Sequence, residues 1–132
     1  VLELVRDDGG RAIDYRFLET NRAFVHQTGL LDARGRTARQ LVPDLESHWI
    51  ETYARVVRTG EPVRFESGSE ALHRWFDVYS FRLGAAPDDR VGLLFTDVSA
   101  ARAAARERER LLAALEVERA RLAYVFQRAP AF

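Results

Sequence analysis

Residues 74–83 read RWFDVYSFRL and residues 90–99 read RVGLLFTDVS. In the first stretch Phe76, Val78 and Ser80 fall on one face of a strand, and Trp75, Asp77, Tyr79 and Phe81 on the other. Neither face is wholly polar, so both sides of the sheet need cover. One side suits a block of helices. The other suits the terminal helix or a second subunit. The second stretch predicts a strand over Arg90 to Thr96 that meets Asp97-Val98-Ser99. From Ser99 the sequence becomes one charged helix pattern reaching about Gln127.

Working back toward the N-terminus, Val63 to Ser67 reads as a strand. Gly68-Ser69 and Ala85 to Asp89, with Pro87, read as turns. Trp49, Tyr53, Val56 and Val57 have helical spacing, which predicts a helix from about Glu46 to Arg58, ended by Thr59-Gly60 and Pro62. Residues 30–45 read as broken helix and loop anchored by Leu41 and Val42. Asn21 to Gly29 reads as a short helix with Phe24 and Val25 on its apolar face. Val1 to Val5 and Ile13 to Leu18 flank the turn Asp7-Asp8-Gly9-Gly10 and predict a hairpin. Two strands, short helices and then three hairpin-linked strands define an α+β class. The expected form is a five-stranded antiparallel sheet with helices on one face, followed by a long C-terminal helix.

Composition narrows the function. The chain has 132 residues and is 47% hydrophobic, enough for one domain with a real core. Net charge is zero, with 13 Arg against 16 acidic residues up to Val98 and 7 Arg against 4 Glu beyond it. That balance makes no electrostatic case for a nucleic-acid or membrane partner. All 20 basic residues are Arg, which with the Ala-rich tail suggests a GC-rich bacterial genome. Cysteine is absent, so disulfides, thiol nucleophiles and thiolate metal sites are excluded. No apolar run approaches the ~18 residues of a membrane span. The chain begins at a strand without Met, as a piece of a longer protein would.

Catalytic and metal chemistry find little to stand on. His26, His48 and His73 fall on different predicted elements, with no paired-His or carboxylate cluster at metal spacing. Ser47-His48 and Ser80 lack a nucleophile turn or triad context, and the glycines lack nucleotide-loop spacing. No enzyme, catalytic residue or metal site is expected.

In the terminal helix Leu111, Leu115, Leu122 and Val125 make one four-three seam if Glu118 takes a position in it. A second seam runs Ala101, Ala105, Arg108, Leu112, Leu115, Arg119, Leu122 and Phe126. Both carry charges. Alone in water such a helix is marginal, which points to a parallel homodimer, with a lone solvated linker as the plainer alternative.

Residues 1–98 resemble a PAS domain. Asp14 to Phe24, with Asn21-Arg22-Ala23-Phe24, is similar to the PAS strand that runs into an Asn-x-Ala-Phe helix start. Thr28-Gly29 with Gly35-Arg36, Thr59-Gly60-Glu61-Pro62 and Arg74-Trp75-Phe76-Asp77-Val78 are similar to further PAS motifs in the same order. Asp97-Val98-Ser99 resembles the terminal Asp-x-Thr signature with Ser for Thr. Leu122 to Phe132 resembles the entry to another sensor domain. The resemblance implies a sensor domain over 1–98, a linker helix over 99–124 and a following domain from 125.

It also implies a ligand pocket between helices and sheet, with Phe24, Leu41, Tyr53, Val57, Phe65, Phe76, Val78, Ser80, Leu93 and Phe95 as candidates. The bland reading is that these residues simply fill the core. Ser80 and Tyr53 would be the polar handles. Asp97 and Ser99 would form the signal junction, although capping alone explains both residue types. Trp75, Tyr79, Phe81, Leu111, Leu115 and Leu122 would pack the helix or dimer. Haem relatives place a His where His48 lies, but next to Trp49 it reads as a surface residue. Flavin photo-adduct chemistry needs a Cys. No cofactor is therefore expected. The implied setting is a cytoplasmic bacterial signalling protein with an output such as a histidine kinase or diguanylate cyclase, and partners limited to itself and its neighbouring domains. A ligand-free dimerisation spacer is the alternative.

Overall fold

The computed structural model describes residues 1–85 and 88–128. In chain order the elements are β1 (Leu2–Arg6), β2 (Ala12–Phe17), α1 (Arg22–Thr28), α2 (Ala38–Leu41), α3 (Ser47–Thr59), β3 (Val63–Ser69), β4 (Arg74–Leu83), β5 (Arg90–Asp97) and α4 (Ser99–Arg128). The strands form one sheet in the order β2-β1-β5-β4-β3, every pair antiparallel. The class is α+β, as the order of patterns implied. The chain divides into two compact units after Val98.

Alternation along the strands decides which face is the core. Leu2 and Leu4, Tyr15 and Phe17, Phe76 and Val78, and Val91 are all buried on one side. Against that side lies α3, whose buried residues Trp49, Ile50, Tyr53, Val56 and Val57 fall on a single stripe. Trp49 sits 5.7 Å from Phe65 in β3, and Tyr53 sits 5.2 Å from Tyr15 in β2. One helix thus reaches both outer strands of the sheet.

Local chemistry sets the element ends. The Asn21 side chain accepts the Phe24 amide at 2.9 Å at the start of α1. Thr37 and Gln40 form a reciprocal capping box around α2. α1 and α3 each end at a left-handed glycine, Gly29 and Gly60.

One expectation is corrected. Gly68 and Ser69 do not turn; they belong to β3, opposite Trp75 and Arg74. The chain reverses over residues 70–73 instead, where His73 takes a positive φ of 54°. The physical reason lies outside the hairpin. Glu46, at the head of α3, accepts the Glu70 amide at 2.8 Å and the Ala71 amide at 3.3 Å through one carboxylate oxygen. Its other oxygen accepts the Trp49 indole at 3.1 Å and the Ser69 hydroxyl at 3.5 Å. A single carboxylate from a distant element therefore fixes the turn. The expected turn over Ala85 to Asp89 includes Ala86 and Pro87, which lie outside the described residues.

Burial by itself would raise the Glu46 pKa, but the amide and indole donors outweigh it and hold the group below 4.5. A lowered carboxylate stabilises the fold fully above its unfolded value. That contribution is lost as the pH falls through the folded value. We therefore expect Glu46→Ala to lower unfolding stability by about 2 kcal/mol. Urea titrations of wild type and variant should converge as the pH falls below 4.5.

Candidate functional site

Two features of the first unit bear on function: a small core cavity and the point where β5 ends. The cavity has a volume of about 30 Å³. That accommodates a water molecule and falls far below the roughly 300 Å³ or more of a small-molecule site. Its walls are aromatic. Trp49, Phe76, Phe95 and Phe24 run in sequence across it, with centroid separations of 6.2, 5.9 and 6.2 Å.

Of the residues expected to form a pocket, Phe24, Tyr53, Phe76 and Phe95 line this cavity. Leu41, Val57, Phe65, Val78, Ser80 and Leu93 do not. Val78 is completely buried within the core, and Phe65 and Leu41 pack beside it. Val57 lies on a groove by the β1–β2 turn, and Leu93 on a surface groove beside α1. Ser80 is no polar handle for a ligand, because its hydroxyl donates to the Val63 carbonyl at 3.0 Å. Tyr15, Phe17, Leu45 and Trp49 also line the cavity, although the sequence did not single them out for it. Helical spacing marked Trp49 as apolar stripe, and the strand reading covered Tyr15 and Phe17, but neither signal tells which residues border a void.

Tyr53 is wholly buried, and its hydroxyl has no hydrogen-bond partner among the described residues. Burial, with a smaller effect of Tyr15, pushes its pKa well above the ordinary value. Burial raises Tyr15 in the same way. Phe17, Phe24 and Phe95 line both the cavity and the surface groove of about 470 Å³ beside α1, and so wall one from the other.

At the end of β5, the Asp97 amide donates to the Gln27 side-chain carbonyl at 2.5 Å, and the Val98 amide donates to the Trp75 carbonyl at 2.8 Å. Arg74 completes the cluster. Its guanidinium donates to the Gln27 and His26 carbonyls at 2.5 and 3.3 Å, and its Nε lies 3.9 Å from the Asp97 carboxylate. A cation on the last carbonyls of a helix is favourable twice over, by hydrogen bonding and by the helix dipole. The C-terminus of α1, the start of β4 and the end of β5 are thus tied at one point. The sequence singled out Asp97 but not Gln27 or Arg74, since nothing local announces a contact spanning 70 residues.

The outer sheet face carries the expected Trp75, Tyr79 and Phe81. Trp75 and Phe81 are half-buried, and each ring lies on a glycine of the next strand. A Cβ on Gly68 would come within 2.5 Å of the Trp75 ring, and one on Gly92 would collide with Phe81. Tyr79 is 39% exposed, and Leu94 directly opposite it is 65% exposed.

In the second unit, Leu111, Leu115 and Leu122 are exposed along α4, which has no buried residue. Glu118, which interrupts the first seam, pairs with Arg121 at 2.9 Å. Leu122 to Arg128 continue the helix, and residues 129–132 of the expected next-domain entry lie outside the described residues.

His48 stands on the surface, 2.8 Å from the Ser67 hydroxyl, and does not line the cavity. Among the described residues no group of three or more His, Asp or Glu could hold a metal, and no helix is long and apolar enough to cross a membrane. No family model matches the sequence, and no solved structure matches the fold.

Tyr53→Phe removes a buried hydroxyl without a partner, so stability should stay equal or rise by about 1 kcal/mol in thermal unfolding. Wild type should lose stability above pH 10 as the unfolded tyrosine ionises, and the variant should lose less. Gly92→Ala should destabilise by about 1–3 kcal/mol and lift Phe81 off the sheet, read by urea unfolding and by the exchange of β4 amides.

Proposed function

We propose that the chain is a PAS-like relay and dimerisation module of a bacterial signalling protein. The first unit holds the end of β5 against α1. The α4 helix carries that position to a neighbouring domain, within a parallel homodimer joined along α4. The observation that carries this reading is the Gln27, Arg74 and Asp97 cluster. It links a helix that walls the core cavity, through Phe24, to the last residues before Ser99. The ordered PAS-like motifs and the exposed leucines of α4 support it. A histidine kinase or diguanylate cyclase is the class of output such a helix would serve, in the cytoplasm.

The cavity of about 30 Å³ favours a second reading. A core so nearly filled suits a ligand-free dimerisation spacer. Within the relay reading it favours a stimulus that acts at an interface over a stored organic ligand.

A double-mutant cycle on hydrogen exchange separates the two. Phe95→Ala loosens the cavity wall, and relay predicts faster exchange of the amides of residues 99–105. Adding Gln27→Ala should remove most of that response. Effects that simply add would point to the spacer. For the helix, Leu115→Glu with Leu122→Glu should convert the dimer to monomer in sedimentation. Inserting four residues at Ala113 rotates the C-terminal half of α4 by about 40° and should change the output of the parent protein.

A further inference from the structure

The core cavity is walled mostly by strands and helices, but two of its lining residues belong to the β3–β4 connection. These are Ser69 at the end of β3 and Leu72 in the turn. Ala71 and Leu72 pack half-buried against the core. Other connecting residues at the cavity are bonded toward the adjacent short helices. The Leu30 amide donates to the Thr28 hydroxyl at 3.2 Å, the Val42 amide to the Ala38 carbonyl at 2.7 Å and the Leu45 amide to the Val42 carbonyl at 3.0 Å. The turn differs. The Leu72 amide donates to the Ser69 hydroxyl at 3.3 Å and the His73 amide to the Glu70 carbonyl at 3.2 Å. Both bonds lie within residues 69–73 and do not fasten the turn to a helix. His73 holds a φ of 54°, which is unfavourable for a residue with a Cβ.

Glu46 supplies the fastening. One of its oxygens accepts the Glu70 and Ala71 amides, and the other accepts the Trp49 indole. Trp49 is itself a residue of the cavity wall. One carboxylate thus grips the turn and the wall together. Swinging residues 70–73 outward breaks the bonds to the turn, withdraws Leu72 from the cavity and lays the bond between Glu46 and Trp49 open to solvent.

Tyr53 sets the opposing tendency. It lines the same cavity, and among the described residues its buried hydroxyl has no partner. A buried hydroxyl without a hydrogen bond is costly. The cavity of about 30 Å³ has room for a water molecule. Water that reaches it gives the hydroxyl the partner that the closed core lacks.

We propose that residues 70–73 form a lid on the core cavity, latched by Glu46, and that opening the lid admits water to Tyr53. The core then has two states, closed and dry or open and wet, and the latch sets the balance between them. The lid lies wholly within the first unit and does not depend on α4 carrying a signal.

Native-state hydrogen exchange on the full chain tests this, because solvent water is itself the probe. The Ala71 amide and the Trp49 indole are the reporters. The Val78 amide, on a strand paired on both sides with Phe65 and Phe95, reports global unfolding. Relative to their intrinsic rates, the two reporters should exchange together and about 100-fold or more faster than Val78, with little dependence on dilute urea. Glu46→Gln keeps the shape of the latch without its charge and should speed both reporters by about tenfold. Tyr53→Phe removes what the open state gains and should slow both by about fivefold. A turn that merely frays would not respond to Tyr53. Reporters that exchange only with Val78 overturn the proposal. So does an Ala71 amide that exchanges early while the Trp49 indole stays with Val78, or a Tyr53→Phe variant that leaves both rates unchanged. Any of these failures leaves the relay reading intact, since that reading rests on Gln27, Arg74 and Asp97 and is tested at residues 99–105.

Discussion

The fold depends on α3 strapping the sheet from one edge to the other. Tyr53 meets Tyr15 in β2 and Trp49 meets Phe65 in β3, so a single helix touches both outermost strands. Burying large rings of this kind contributes on the order of 2–3 kcal/mol each. Placing α3 also places Glu46, whose carboxylate then fixes the β3–β4 turn. The same placement leaves the small void beneath Trp49 with the Tyr53 hydroxyl buried in the core.

The end of β5 is held by contacts from α1 and β4. Phe24 of α1 closes the cavity, and three residues later Gln27 receives the Asp97 amide. Arg74 sits between them, bonded to the end of α1 and close to the Asp97 carboxylate. A shift of α1 against the cavity therefore meets the end of β5 directly, without passing through the sheet. This is a physical connection between two distant positions of the first unit.

On the outer face, part of the aromatic surface is shielded from within the sheet itself. Trp75 and Phe81 lie over Gly68 and Gly92, shielding backbone and ring together. Tyr79 and Leu94 are left exposed. Glycine placement thus brings two of the three aromatic rings of β4's outer face against backbone within the sheet. Gly68 in a strand looks like a turn signal until the ring that covers it is seen.

Element type and order were legible in the sequence because each rests on short-range physics. The two-residue period of Phe76, Val78 and Ser80, the stripe of Trp49, Tyr53, Val56 and Val57, and the caps at Asn21, Gly29 and Gly60 all act within a few residues. Those signals settled the α+β class, the bounds of β4 and the start of α4. What they could not settle is anything carried by contact between distant segments. The turn held by Glu46, the bond from Gln27 to Asp97, the satisfaction of Ser80 by Val63 and the size of the cavity each join residues 17 or more apart. Such pairings are chosen only when side chains of given length meet at given spacing, and only the packed structure sets that spacing.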